Sequence, residues 1–209
     1  MFSLTSTFDD EFEYKGTVIR LNLAFDNVLR VFELLEDDTF YDWEKVDIVL
    51  EILVENYEDI EELSINEKFE IYAYIFKEFL DIDFSKAGEN GIVKKVFDFK
   101  KDAGLIYASF LSAYGMDLFE QQGKLHWQKF IQLLTNLNKD TVFKEVVGIR
   151  QMKVPPPDKY NREYREYVLK MKQLYRLEDE TQIVDEKQAV EEIDRKWDMV
   201  ASMFKPKGR

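Results

Sequence analysis

A chain of 209 residues without a single cysteine is long enough to bury its own core, and disulfides, thiolate zinc sites and cysteine nucleophiles are closed to it. Forty-two acidic against 29 basic residues give a net charge of −13, unevenly spread: residues 1–100 hold 25 acids and 10 bases, residues 101–209 hold 17 and 19. The first hundred residues would repel a phosphate backbone, so nucleic-acid binding is not expected, and a basic or amphipathic protein partner suits the acidic face better. No apolar run approaches the roughly 20 residues of a membrane span. The start MFSLTSTFDDEFEYK lacks the basic and apolar segments of a signal peptide, so a soluble protein is expected.

In chain order, FEYKGTVIRLNL (residues 12–23) alternates apolar and polar residues after a Lys15-Gly16 turn signal and reads as a β-hairpin. Helical spacing follows at Phe25, Val28, Leu29, Phe32 and Leu35, with Asn22 or Asp26 as N-cap. Asp42 or Asp47 can start a second helix with the stripe Val46, Val49, Leu50, Leu53 and Tyr57. Ser64 and Glu67 have capping-box spacing and open a third, carrying Phe69, Tyr72, Ile75, Phe76 and Phe79 on one side. Two glycines and an asparagine make Lys86 to Gly91 a loop.

The next helix is expected from about Phe99 to Tyr114, with Ala103, Ile106, Phe110 and Tyr114 on one face and Gly115 as its stop. GKLHWQKFIQLLTNL then starts another, with Trp127, Phe130, Ile131, Leu134 and Leu137 at helical spacing and His126 in the first turn. Asp140-Thr141 caps a short helix ending near Arg150. Three prolines at 155–157 break any helix. Two charge-rich helices are expected beyond them, Lys159 to Leu177 and Lys187 to Phe204. The reading is a mainly α protein: a short N-terminal β-hairpin and a multi-helix domain over 1–154, then a C-terminal helical arm over 155–209.

Chemistry finds little footing in these residues. His126 is the only histidine, and its neighbours are mostly lysines and glutamines rather than a carboxylate and a nucleophile. A ring nitrogen bonding a loop carbonyl, with Trp127 in the core, accounts for it as a packing corner. Acid pairs such as Asp37-Asp38 and Glu61-Glu62 read as a solvated face. The cluster AGENG at 87–91 lacks P-loop spacing, and neither GxSxG nor HExxH occurs. The expectation is no enzyme, no catalytic or metal-binding residues and no cofactor. Thirty-one aromatics are many for one core to hide, and Tyr160, Tyr164, Tyr167, Met171 and Leu174 form a seam suited to docking on another surface, the first four as the expected partner-binding residues.

The segment from Asp102 to Arg150 resembles the gene product fifteen family found in siphophages of Gram-positive bacteria and in their prophages. The likeness rests on Tyr107, Phe110, Tyr114-Gly115, Asp117-Leu118, Leu125-His126-Trp127, Phe130, Leu133-Leu134, Thr141, Phe143 and Ile149-Arg150, and the opening with Phe25, Leu29 and Leu34-Leu35 also fits. The family pattern often has a second tryptophan where this chain has Gln128. The resemblance implies a gene between the major tail protein and the tape measure, the usual place of tail assembly chaperones. By that analogy the chain would bind the tape-measure protein in the host cytoplasm, with the tail-tube protein as a further partner and self-association left open. The rival expectation is a structural virion protein, a tail or connector component that stays in the particle.

Overall fold

The computed structural model describes residues 4–5, 7–82, 96–158 and 160–177. The expected loop at 86–91 and the helix from Lys187 to Phe204 lie outside them. The fold is mainly α with an N-terminal hairpin: β1 (Glu11–Tyr14) and β2 (Thr17–Arg20), then α1 (Phe25–Glu36), α2 (Asp42–Leu53), α3 (Ile65–Glu78), α4 (Ala103–Tyr114), α5 (Trp127–Thr135), α6 (Val142–Gln151) and α7 (Arg162–Leu174). A 3₁₀ turn, Tyr57–Asp59, lies between α2 and α3. The described residues fall into two compact units, the first from residues up to 82 and 122–131, the second from 96–121 and 132 onward.

In the first unit, β1 and β2 pair antiparallel with Glu11 opposite Arg20 and Tyr14 opposite Thr17. Lys15 and Gly16 both have positive φ, 51° and 88°, the two-residue turn whose twist matches a hairpin. The chain then runs extended to Ala24 between two other segments. Asn22 donates its amide to the Leu53 carbonyl and accepts none of the capping duty expected of it at α1, while the Phe25 amide bonds Leu125 and the Trp127 amide bonds Leu23. The N-cap of α1 is Ala24, without a side-chain bond. Its place is fixed by a bridge to His126, a hundred residues on, and Asp26 lies inside the first turn. Asn56, fully buried, accepts the Arg20 amide and donates to Val18 and Asp59, extending the ladder of β2 with a side-chain amide.

Helix α2 begins at Asp42, and Asp47 lies within it. Val46, Val49, Leu50 and Leu53 are buried as the spacing predicts, and Tyr57 belongs to the 3₁₀ turn. The capping box at Ser64 and Glu67 opens α3. Its buried stripe is Ile71, Tyr72, Ile75 and Phe76, with Phe69 and Phe79 only half-buried.

In the second unit, α4 starts at Ala103, later than expected. Asp98 accepts the amides of Lys100 and Lys101 and holds a turn there instead. Gly115 ends the helix in the left-handed region at φ 62°. Ile106 and Phe110 are buried as expected, but Ala103 and Tyr114 are exposed. The positions that complete the inner face are Asp102 and Ser109, both buried and both bonded to α6. Thr141 is the N-cap of α6, and its hydroxyl donates to the Asn138 carbonyl. The prolines at 155–157 lie in an extended connection, after which α7 packs on α6 in the same unit.

Candidate functional site

His126, the one histidine, is built into a corner where each ring nitrogen has a partner. It is the residue before α5, and its Nδ1 accepts the Gln128 amide hydrogen at 3.1 Å, the position of an N-cap side chain. The ring hydrogen therefore sits on Nε2, 3.2 Å from Asp10 Oδ1. Phe8 stacks on the ring at 3.9 Å. The partner of the imidazole is thus a carboxylate and not the loop carbonyl the sequence suggested. Trp127 is buried, edge-on to Phe32 and stacked on Phe130. Among the described residues no three His, Asp or Glu side chains gather as a metal site.

A second polar cluster is equally saturated. Lys68 is buried, with its Nζ 2.6 Å from Asp47 Oδ1 and 2.9 Å from the Tyr57 hydroxyl, which itself donates to Asp47 at 2.6 Å. Burial opposes charge on both Lys68 and Asp47. Their contact and the Tyr57 hydroxyl outweigh it, so the lysine pKa is raised and the carboxyl pKa lowered. All three groups are held charged or neutral as a strut between α2 and α3, and none is poised to exchange a proton near neutral pH.

One exposed surface is that of α7. Its base is a clamp centred on Arg150 at the end of α6. The guanidinium takes both oxygens of buried Asp102, at 2.6 and 2.8 Å, and donates to the carbonyls of Val96 and Tyr175. Lys172 donates to the carbonyls of Arg150 and Met152 at 2.6 and 2.7 Å. Val168 is the buried residue of α7 and Leu177 is buried just after it. With that side fixed, the others face solvent: Tyr160 is 87% exposed, Tyr164 55% and Tyr167 56%. Met171 is half-buried at the shoulder, and Tyr164 Oη lies 3.9 Å from Met152 Sδ. Leu174, at the end of the same seam, is exposed as well.

The sequence reading also missed a second exposed aromatic set, Phe40, Tyr41 and Trp43, at the corner between α1 and α2. The signal was present. Phe40 and Tyr41 lie between the two helices, Trp43 is in the first turn of α2, and all three stand among acids in EDDTFYDWE. Among the described residues no helix is long and apolar enough to cross a membrane.

The residues of the family likeness sit at the points that hold these units: Arg150 in the clamp, His126 and Trp127 in the corner, Phe110 and Phe143 in the core. No curated protein and no solved structure matches the chain. The family model described as Bacteriophage Gp15 protein matches residues 4–177. That span takes in every helix from α1 to α7, and the chain belongs to the bacteriophage Gp15 family, as a phage structural or assembly protein.

Proposed function

We propose that this protein is a non-enzymatic tail assembly chaperone that holds the phage tape-measure protein in the host cytoplasm until tail-tube subunits assemble around it. The observation that carries this reading is the exposed tyrosine seam at α7, with Tyr160 in the turn before the helix and Tyr164 and Tyr167 on it, all in solvent, while the other side of the helix is fixed by Val168 and the Arg150 clamp. Tyrosine supplies a large, rigid and amphipathic contact area. A protein that must hold many apolar stretches and release them again needs such shallow surfaces rather than one deep pocket. The net charge of −13 keeps a loaded complex in solution.

Co-expression with the tape-measure protein of the same phage tests the reading. The client should be soluble with the wild-type chain and largely insoluble with Tyr164→Ala/Tyr167→Ala. Equal solubility with and without this protein would remove the chaperone role. Mass spectrometry of purified virions separates it from a structural role, for a chaperone is absent from the particle and a tail or connector subunit is present at fixed stoichiometry.

A further inference from the structure

Residues 36–43 are exposed without interruption, and they hold three large aromatics. Tyr41 is 72% exposed and Trp43 58%, with Phe40 beside them. Side chains of this size are rarely left in water on a monomer unless something covers them. The corner is ordered before any partner arrives. Asp37 Oδ1 accepts the Thr39 amide at 2.8 Å, Glu44 Oε2 accepts the Tyr41 amide at 2.8 Å, and buried Lys45 donates to the Leu35 carbonyl at 3.0 Å, closing the end of α1. Trp43 lies one turn before Val46, where the buried stripe of α2 begins, and stays in solvent. Between Glu33 and Glu44 there are six carboxylates and no base.

We infer that this corner is a docking surface for a cationic amphipathic segment, one whose apolar residues lie on Phe40, Tyr41 and Trp43 while its lysines or arginines meet the surrounding carboxylates. Charge complementarity selects this occupant. An ammonium or guanidinium is attracted both by the face of an indole or phenol ring and by Asp38 and Asp42 beside it. Nucleic acid and anionic lipid are repelled by the same charges. Within the proposed function, on which this identification of the occupant rests, the segment belongs to the tape-measure client, and the corner takes basic stretches that the tyrosine seam of α7 would not select.

The probe is a synthetic amphipathic helix of leucine and lysine, with a counterpart in which glutamate replaces lysine, titrated against the full chain by fluorescence anisotropy at low and high salt. The lysine peptide should bind, weaken as salt rises and lose on the order of tenfold or more in affinity with Tyr41→Ala/Trp43→Ala. The glutamate peptide should not bind. Asp38→Asn/Asp42→Asn should flatten the salt dependence while circular dichroism shows an unchanged fold. The inference fails if the lysine peptide does not bind, if the aromatic variant binds it equally, if both peptides bind alike, or if the corner proves to be where two copies of this chain associate. Co-expression with the tape-measure protein keeps the two ideas apart. A client held by the wild type and by Tyr41→Ala/Trp43→Ala alike sinks the corner and spares the chaperone. A client held by neither, with the lysine peptide still bound at the corner, does the reverse.

Discussion

His126 ties three stretches of chain with one ring: it caps α5 through Nδ1, reaches Asp10 through Nε2 and stacks under Phe8. His126→Ala removes all three and should cost about 1 to 2 kcal/mol, the range of a lost N-cap. His126→Asn keeps an acceptor at the cap and loses the stacking, so it should fall between alanine and wild type. Urea denaturation followed by tryptophan fluorescence reads the difference, since Trp127 is the next residue. Arg150 carries more. Its bidentate pair with Asp102 is buried, and removing one partner leaves the other charge without compensation. Arg150→Met should destabilise the second unit by about 3 kcal/mol or more. Arg150→Lys should recover only part of that, because an ammonium cannot meet two carboxylate oxygens and two carbonyls in the same plane. If methionine and lysine behave alike, the fork geometry is not what matters at this site.

Among the elements, the hairpin and α3 are joined by a charge link that responds to pH. Glu67 Oε2 accepts the Ser64 hydroxyl at 2.7 Å and the Ser64 amide at 3.0 Å, and its Oε1 meets Lys15 Nζ at 2.9 Å. The Ser64 hydroxyl first, then the Lys15 ammonium, lower its pKa from 4.5 to about 2. A carboxyl whose folded pKa is depressed stabilises fully above its unfolded value, and that part is lost as pH falls through the folded one. The cap and the Lys15 link should therefore weaken between about pH 4.5 and about pH 2. Glu67→Gln should remove that portion of the acid sensitivity, measured as a smaller drop in melting temperature across the same range. An unchanged acid limb would assign it to other carboxyls. This capping box was legible in the sequence, as were the Lys15-Gly16 turn and the Gly115 stop, because each is decided within a few neighbouring residues. The start of α1 was not. Ala24 is its N-cap through pairing with His126, and nothing within reach of Ala24 along the chain announces a partner 102 positions away. The inner face of α4 was misread for a similar reason: Ser109 and Asp102 are polar, and only their bonds to the Phe143 amide and to Arg150 make them interior positions. The spacing of Tyr164 and Tyr167 on α7, by contrast, was legible from periodicity, and both are exposed there. The corner at Phe40 to Trp43 was overlooked because Phe40 and Tyr41 precede the helix and Trp43 stands in its first turn, one turn ahead of the buried stripe.

Over the whole molecule, the chain builds the first unit, leaves it to form α4, returns for residues 122–131 and then completes the second unit with α6 and α7. Prolines 155–157 keep α6 from continuing, yet the helix beyond them is bound into that second unit. Val168 and Leu177 are buried there, the Tyr175 carbonyl accepts from Arg150, and Lys172 closes the carbonyls of Arg150 and Met152. Ending the chain at residue 154 would expose the apolar surface that Val168 and Leu177 cover, at about 1.5 to 3 kcal/mol for each such side chain. It would also leave Arg150 Nε without its acceptor, and a buried donor with no partner costs about 1 to 3 kcal/mol more. These losses together reach the lower part of the stability range of an ordinary domain, and among the described residues they fall on one unit. Amide hydrogen exchange should then show α4 and α6 losing most of their protection in the shortened chain, with the hairpin and α1 to α3 keeping theirs. Among the described residues, the cores of those elements, with Val28, Val49, Leu50, Ile71 and Ile75, contain none that the cut removes. Protection lost to the same degree in both sets would mean that the two units unfold as one, and protection kept in both would mean that α7 contributes nothing to the stability of α6.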